Sequence, residues 1–228
     1  MEMGIQYPLI IINFKTYSES TGANALLIAR CAERVSKEYG ACIAVAPQPA
    51  DILRVASVVE IPVFAQHVDT EKPGPHTGYI TPESVKEAGA CGTLINHSEH
   101  RLRIDLIEES INRCRSLGIL TCACANSSLV GKSLAAFEPD MIAVEPPELI
   151  GGGVSVSKAK PGIISESVSA IRSVSVAVRP LCGAGITDGE DVSASMKLGA
   201  EGVLVASGVV KAKDPGAVLV EFAKAIHQ

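Results

Sequence analysis

Glu145 closes the apolar run Met141-Ile142-Ala143-Val144, and Pro146-Pro147 and then Gly151-Gly152-Gly153 follow it. Such a run reads as a buried parallel strand. The carboxylate then sits at its C-terminal tip, where α/β enzymes keep their chemistry. Stiff prolines ahead of loose glycines suit a lid over a small anion. Other strand ends carry reactive groups too. Asn13-Phe14-Lys15 takes an apolar run straight into an amide, a ring and an ammonium group, and the Lys can point back over the mouth of a barrel. Asn96-His97-Ser98-Glu99-His100-Arg101 gathers imidazole, carboxylate and guanidinium groups, with His97 first out of its strand. If a short helix begins there, its N-terminal dipole favours a neutral imidazole, which can donate to a carbonyl without carrying charge. The small residues of Cys182-Gly183-Ala184-Gly185 and Val205-Ala206-Ser207-Gly208 let backbone N–H groups approach an anion.

Each segment has a plainer reading when taken singly: Lys15 as a surface ammonium, the His97 loop as a structural ion pair, Glu145 as the cap of a turn, the glycine loops as tight turns. Together, with three amide-rich loops near a base candidate, they point to an enzyme acting on a phosphorylated metabolite.

The elements that must position these groups alternate. Predicted strands cover 9–13, 41–46, 63–66, 92–96, 120–124, 141–145, 177–182 and 202–206; predicted helices cover 21–39, 48–58, 82–88, 103–117, 127–137, 161–174, 188–197 and 215–226. Thr81-Pro82 and Thr187-Asp188 supply helix caps, and Gly40, Gly89, Gly118 and Gly199 fall where helices should stop. This alternation predicts an α/β protein, a (β/α)8 barrel in a single domain over 1–228. An open doubly wound sheet is the alternative, but no G-x-G-x-x-G follows the first strand.

Composition agrees. The chain is 47% apolar yet 4% aromatic with no Trp, so Ala, Val, Ile and Leu must fill the core, as in parallel strands covered on both faces. A net charge of −5 without a basic patch argues against nucleic acid. Neither a signal peptide nor an apolar run of membrane-spanning length is read. The seven scattered cysteines form no Cys-x-x-Cys and read as buried free thiols in a reducing cytosol; Cys122 and Cys124 share one strand face, without further metal-ligand candidates nearby.

Taken in chain order, Asn13-x-Lys15, His97-Ser98-Glu99, Glu145-Pro146 with Ile150-Gly151, and Gly183-Ala184-Gly185 with Ala206-Ser207 resemble the triosephosphate isomerase family across the whole chain. The short length and Pro146-Pro147-Glu148-Leu149-Ile150-Gly151 resemble its compact archaeal branch. The resemblance implies a cytoplasmic TIM barrel that interconverts dihydroxyacetone phosphate and glyceraldehyde 3-phosphate, with no cofactor and no metal. It implies Glu145 as the base, His97 as the electrophile, and Lys15 and Asn13 as stabilisers of an enediolate. The neutral imidazole is a known feature of the family and comes with the resemblance. Glu99 would organise Lys15 and His97. Ile150, Gly151, Gly183, Gly185, Ala206 and Ser207 would hold the substrate, with its phosphate on the N–H groups of Gly151, Gly185, Ala206 and Ser207. His76-Thr77-Gly78 matches a loop whose Thr enters a neighbouring subunit, so Thr77 is an interface residue of a homodimer or homotetramer. Partners would be a small triose phosphate and further copies of the chain, with neither nucleic acid nor membrane.

The chain also departs from the family pattern. His100 stands where Arg is common, Pro147-Glu148 where Val-Trp is common, and Cys182 and Gly185 where Tyr and Ser occur. Two alternatives stay open on residues alone: another phosphate-binding barrel isomerase or epimerase, and a sensor without catalysis. Retention of Lys15, His97 and Glu145 together argues against both.

Overall fold

The computed structural model describes residues 5–146 and 161–227. Eight strands form one parallel sheet: β1 (Leu9–Asn13), β2 (Cys42–Ala46), β3 (Phe64–Ala65), β4 (Gly92–Ile95), β5 (Leu120–Ala125), β6 (Met141–Val144), β7 (Arg179–Cys182) and β8 (Gly202–Val205). The order β2-β1-β8-β7-β6-β5-β4-β3 runs round a nearly closed barrel. Its seam between β2 and β3 is closed by the bridge Val45–Val63, where Val45 N–H donates to Pro62 O at 3.0 Å. Helices cover the outside: α1 (Ala23–Tyr39), α2 (Ile52–Ala56), α3 (Pro82–Glu87), α4 (Ile104–Leu117), α5 (Ser128–Ala135), α6 (Pro161–Arg172), α7 (Gly189–Lys197), α8 (Ser207–Val210) and α9 (Pro215–Ala225). The (β/α)8 barrel is the expected fold.

Side-chain alternation along each strand explains both cores and site. Leu9 and Ile11 of β1 fill the barrel interior with Phe64, Leu94, Met141 and Ala143. Ile10 and Ile12 face outward under the helices. Every side chain of β1 is therefore buried, which is why its sequence is apolar from Leu9 to Ile12. Period two carries the inward face on to Asn13 in β1, Gln66 after β3, Asn96 after β4 and Glu145 after β6. Polar groups thus replace apolar ones at the last inward position, and the barrel mouth becomes reactive where the core ends.

Several boundaries differ from expectation. The predicted strand 63–66 narrows to Phe64–Ala65, because β3 reaches β2 through the single Val45–Val63 bridge. The predicted helix 48–58 starts as a 3-10 turn at Pro49–Asp51, where Ile52 N–H donates to Pro49 O, before α2. Thr81 and Asp188 act as the expected caps, their side chains accepting from Ser84 N at 3.3 Å and Asp191 N at 3.0 Å.

Candidate active site

Lys15 follows β1 in a left-handed backbone conformation, with φ +47°. A lysine there costs conformational energy and persists only when its surroundings fix it. They do: its N–H donates to Asn13 Oδ1 at 2.9 Å, and its carbonyl accepts from Gln66 Nε2 at 2.9 Å. Gln66 Nε2 also donates to Ala46 O at 2.9 Å, so one amide ties the ends of β1, β2 and β3. The ammonium reaches Glu99, Nζ to Oε1 2.8 Å.

His97 is set by the turn after β4. Asn96 takes a left-handed φ of +59°; its Nδ2 donates to Cys124 O at 2.9 Å and its Oδ1 accepts from Leu102 N at 2.9 Å. Arg101 Nη1 donates to Asn96 O at 3.0 Å. No helix begins here. The segment is a turn closed by His100 N–H donating to His97 O at 2.8 Å, so a full helix dipole is not what orients the ring. A single amide takes that role: Glu99 N–H donates to His97 Nδ1 at 3.2 Å. A ring that accepts at Nδ1 carries its hydrogen at Nε2.

That Nε2 lies 3.1 Å from Glu145 Oε1, with both residues buried. Glu145 Oε2 also faces Ser98 N–H at 3.4 Å, and Glu145 N–H donates to Ala125 O at 2.7 Å. Beneath it, Cys124 is fully buried, and burial followed by the charge of Glu145 pushes its thiol well above the usual range. Asn13, Lys15, Gln66, His97 and Glu99 open onto one cleft of about 470 Å³.

The last two strands bring small residues beside this cleft. Gly183 N–H donates to Val144 O at 2.8 Å. A Cβ added there would stand 2.6 Å from Glu145 Cγ, so the absent side chain makes room for the carboxylate. Gly185 takes a left-handed φ of +72°. Ala206 precedes α8, whose first N–H groups, on Ser207 and Gly208, have no partner within the helix. The two loops touch: a Cβ on Gly208 would lie 3.4 Å from Ile186 O. Among the described residues, no group of three or more His, Cys, Asp or Glu side chains could hold a metal ion.

The family model described as triosephosphate isomerase matches residues 8–227. The chain belongs to the triosephosphate isomerase family. It is 52% identical to the triosephosphate isomerase of Methanocaldococcus jannaschii over 96% of this chain and 100% of that one. It is 51% identical to that of Methanobacterium bryantii, over 96% of this chain and 97% of that one. A crystal structure of triosephosphate isomerase from Bartonella henselae superposes with a TM-score of 0.76 at 17% identity, covering 97% of this chain and 99% of the other; at that identity it speaks for the fold alone.

Of the residues that the triosephosphate isomerase pattern singles out, Asn13, Lys15, His97, Glu99 and Glu145 meet at one mouth, with Gly183, Gly185, Ala206 and Ser207 on the neighbouring loops. Ile150 and Gly151 lie outside the described residues, as does the rest of the expected lid beyond Pro146. Thr77 is exposed within a loop whose residues 72–79 are all exposed. His100 makes a ring stack in place of an ion pair: its ring lies 4.2 Å from that of His67, tilted by 32°. His67 Nε2 also faces Asp69 Oδ1 at 3.1 Å. Gln66, Asn96 and Cys124 are functional neighbours to which the sequence pattern gives no role. Their signal was the shared inward parity at or just below the mouth.

Proposed function

We propose that the chain interconverts dihydroxyacetone phosphate and D-glyceraldehyde 3-phosphate, as a step of glycolysis and gluconeogenesis, with Glu145 as the carbon base and His97 as the electrophile. Support for those two roles comes from one observation: a carboxylate and an imidazole Nε2 meet at 3.1 Å, buried at the barrel mouth beside Lys15. The carboxylate takes a proton from the carbon next to the carbonyl. The C–H electrons become a C=C bond, and the carbonyl electrons move onto oxygen. His97 Nε2–H donates to that oxygen, and Lys15 with Asn13 offsets its charge. His97 gives its Nε2 proton to that oxygen and takes the hydroxyl proton from the other, and Glu145 returns its proton to the adjacent carbon as the carbonyl forms on the second oxygen.

Glu145 rests on His97 and Ser98, so the substrate must displace it from Nε2 before either group can work. The carboxylate turns from the ring to the carbon as the substrate oxygens take its place on His97. The phosphate dianion lies on N–H groups of Gly185, Ala206 and Ser207; the roles expected of Ile150 and Gly151 fall outside the described residues. The chain acts as one domain, self-associated through the Thr77 loop, in the cytoplasm, with neither nucleic acid nor membrane as a partner. No helix among the described residues is long and apolar enough to cross a membrane.

The deciding experiment is a coupled assay of Glu145→Gln beside the unaltered chain. Turnover should fall by about a hundredfold to ten-thousandfold, the range for a positioned acid–base group. Binding of glycerol 3-phosphate should persist. An unaltered chain that binds the phosphate and turns nothing over would instead be a sensor.

A further inference from the structure

A second cation bears on the same mouth. Lys211 follows α8 directly, its N–H donating to Ser207 O at 3.0 Å. Its Nζ lies 4.2 Å from the centroid of the Tyr17 ring. Tyr17 belongs to the connection between β1 and α1, shortly after Lys15, and lines the catalytic cleft. That connection is tightly tied: Tyr17 O accepts from Ser20 N at 3.1 Å, Ser20 Oγ at 3.2 Å and Thr21 Oγ1 at 2.8 Å. Ser20 Oγ also lies 2.7 Å from Phe14 O. An ammonium within about 6 Å of an aromatic face is attracted to it. Since β8 lies beside β1, the contact joins two adjacent connections that hold opposite ends of a substrate.

We propose that Lys211 and Tyr17 form a positioning clamp that sets α8, and with it the amide groups of Ser207 and Gly208, at a fixed distance from Lys15. A phosphorylated three-carbon substrate then meets its carbonyl-side and phosphate-side groups already spaced. The proposal rests on the isomerase reading, in which α8 holds the phosphate. Lys211 acts through α8 and not on the reacting carbons. Lys15 is fixed separately by Asn13, Gln66 and Glu99. Loss of the clamp therefore loosens the phosphate side and leaves the proton-transfer groups in place.

The test uses Lys211→Met, Tyr17→Leu and the double variant, with Lys211→Arg and Tyr17→Phe as replacements that keep the cation or the ring. For glyceraldehyde 3-phosphate, KM should rise about two- to fivefold in each of the first two variants, with kcat held. The double variant should lose no more than the single ones. The conservative pair should restore the lower KM. Phosphate-free glyceraldehyde should be turned over at an unchanged kcat/KM in the Lys211 variants, which a general structural role would not allow. Calorimetric Kd values for glycerol 3-phosphate should shift by the same factor, and this arm does not need turnover. Additive losses in the double variant, an unmoved Kd, or equal loss with glyceraldehyde would overturn the clamp. Turnover by the unaltered chain judges the isomerase reading independently.

Discussion

Gly183 is in contact with Glu145 through the space its missing side chain leaves: an added Cβ would meet Cγ of the carboxylate at 2.6 Å and Val144 O at 3.1 Å. Contacts that short force one side to move. Val144 O belongs to the β6 strand and already accepts from Gly183 N–H, so the yielding partner is the Glu145 side chain. Gly183→Ala should therefore cost about 1–3 kcal/mol of stability, the usual penalty of overpacking. It should also lower kcat by about a hundredfold, the scale on which a displacement of about 1 Å matters. Deuterium uptake at the substrate α-carbon, followed by NMR, reads the proton-abstraction step directly. Uptake at the unaltered rate would mean that the carboxylate has somewhere else to sit.

Lys15 and Glu99 form an ion pair whose two ends differ in exposure, 14% for the lysine side chain and 59% for the glutamate. A half-wet pair contributes about 1 kcal/mol or less to folding, because water screens it. Its consequence is orientation: the Glu99 carboxylate holds the Lys15 ammonium at 2.8 Å, while the Glu99 backbone N–H on His97 Nδ1 survives a side-chain substitution. Glu99→Ala should leave the thermal midpoint almost unmoved and reduce kcat/KM by about tenfold, with Glu99→Gln in between because it still accepts from the ammonium. A large drop in melting temperature with intact kcat/KM would reverse this assignment.

The legible part of the molecule follows from local pattern. The apolar runs ending in Asn13, Asn96 and Glu145 declare buried strands, and strand parity sends the next inward side chain to the mouth. Helix caps at Thr81 and Asp188 were equally readable. What the sequence hides are contacts between distant segments. Gln66 holds the carbonyl of Lys15 across 51 positions, and no local signal ranks it above any other strand-end glutamine. The left-handed backbone of Lys15 runs against its own preference and is imposed by neighbours. His100 shows only as a departure from a family arginine until the ring of His67 is found against it.

That ring pair has a pH consequence. Burial lowers the pKa of His67 below its ordinary value near 6.5, with the charge of His100 acting in the same direction and Asp69 opposing both. A group whose folded pKa is depressed leaves the unfolded chain binding more protons as pH falls, so stability rises with pH across the window. His67 therefore contributes stability that is present above about pH 6.5 and is lost as pH falls toward its folded pKa. Glu99 and Lys15 share the cleft, and their contributions remain when His67 alone is changed. In His67→Gln, which can still donate to Asp69, the fall in melting temperature below about pH 6.5 should be shallower than in the unaltered chain. Parallel melting curves from pH 7.5 down to about 5 would assign the dependence to other groups.

The loop bearing Thr77 makes a prediction about assembly. Residues 72–79 are exposed along their whole length, with the Tyr79 side chain at 52% and the His76 and Tyr79 rings edge-to-face at 6.0 Å. Meanwhile the cleft beside Lys15 is bounded by Gln66, Ile80 and His100 and stands open to solvent. In the proposed oligomer, Thr77 of one copy enters that cleft on the next, so the loop and the hollow are two halves of one isologous contact. Thr77→Arg would bring a guanidinium towards the Lys15 ammonium, a like-charge meeting in a confined space. Light scattering should then report a single-chain mass, with activity reduced because the Lys15 side of the cleft loses its cover. The opposite substitution in kind, Thr77→Ser, keeps the hydroxyl and should retain the assembled mass. An Arg variant that stays assembled would move the interface elsewhere on the barrel, whereas a monomer with full activity would separate assembly from the chemistry at Lys15.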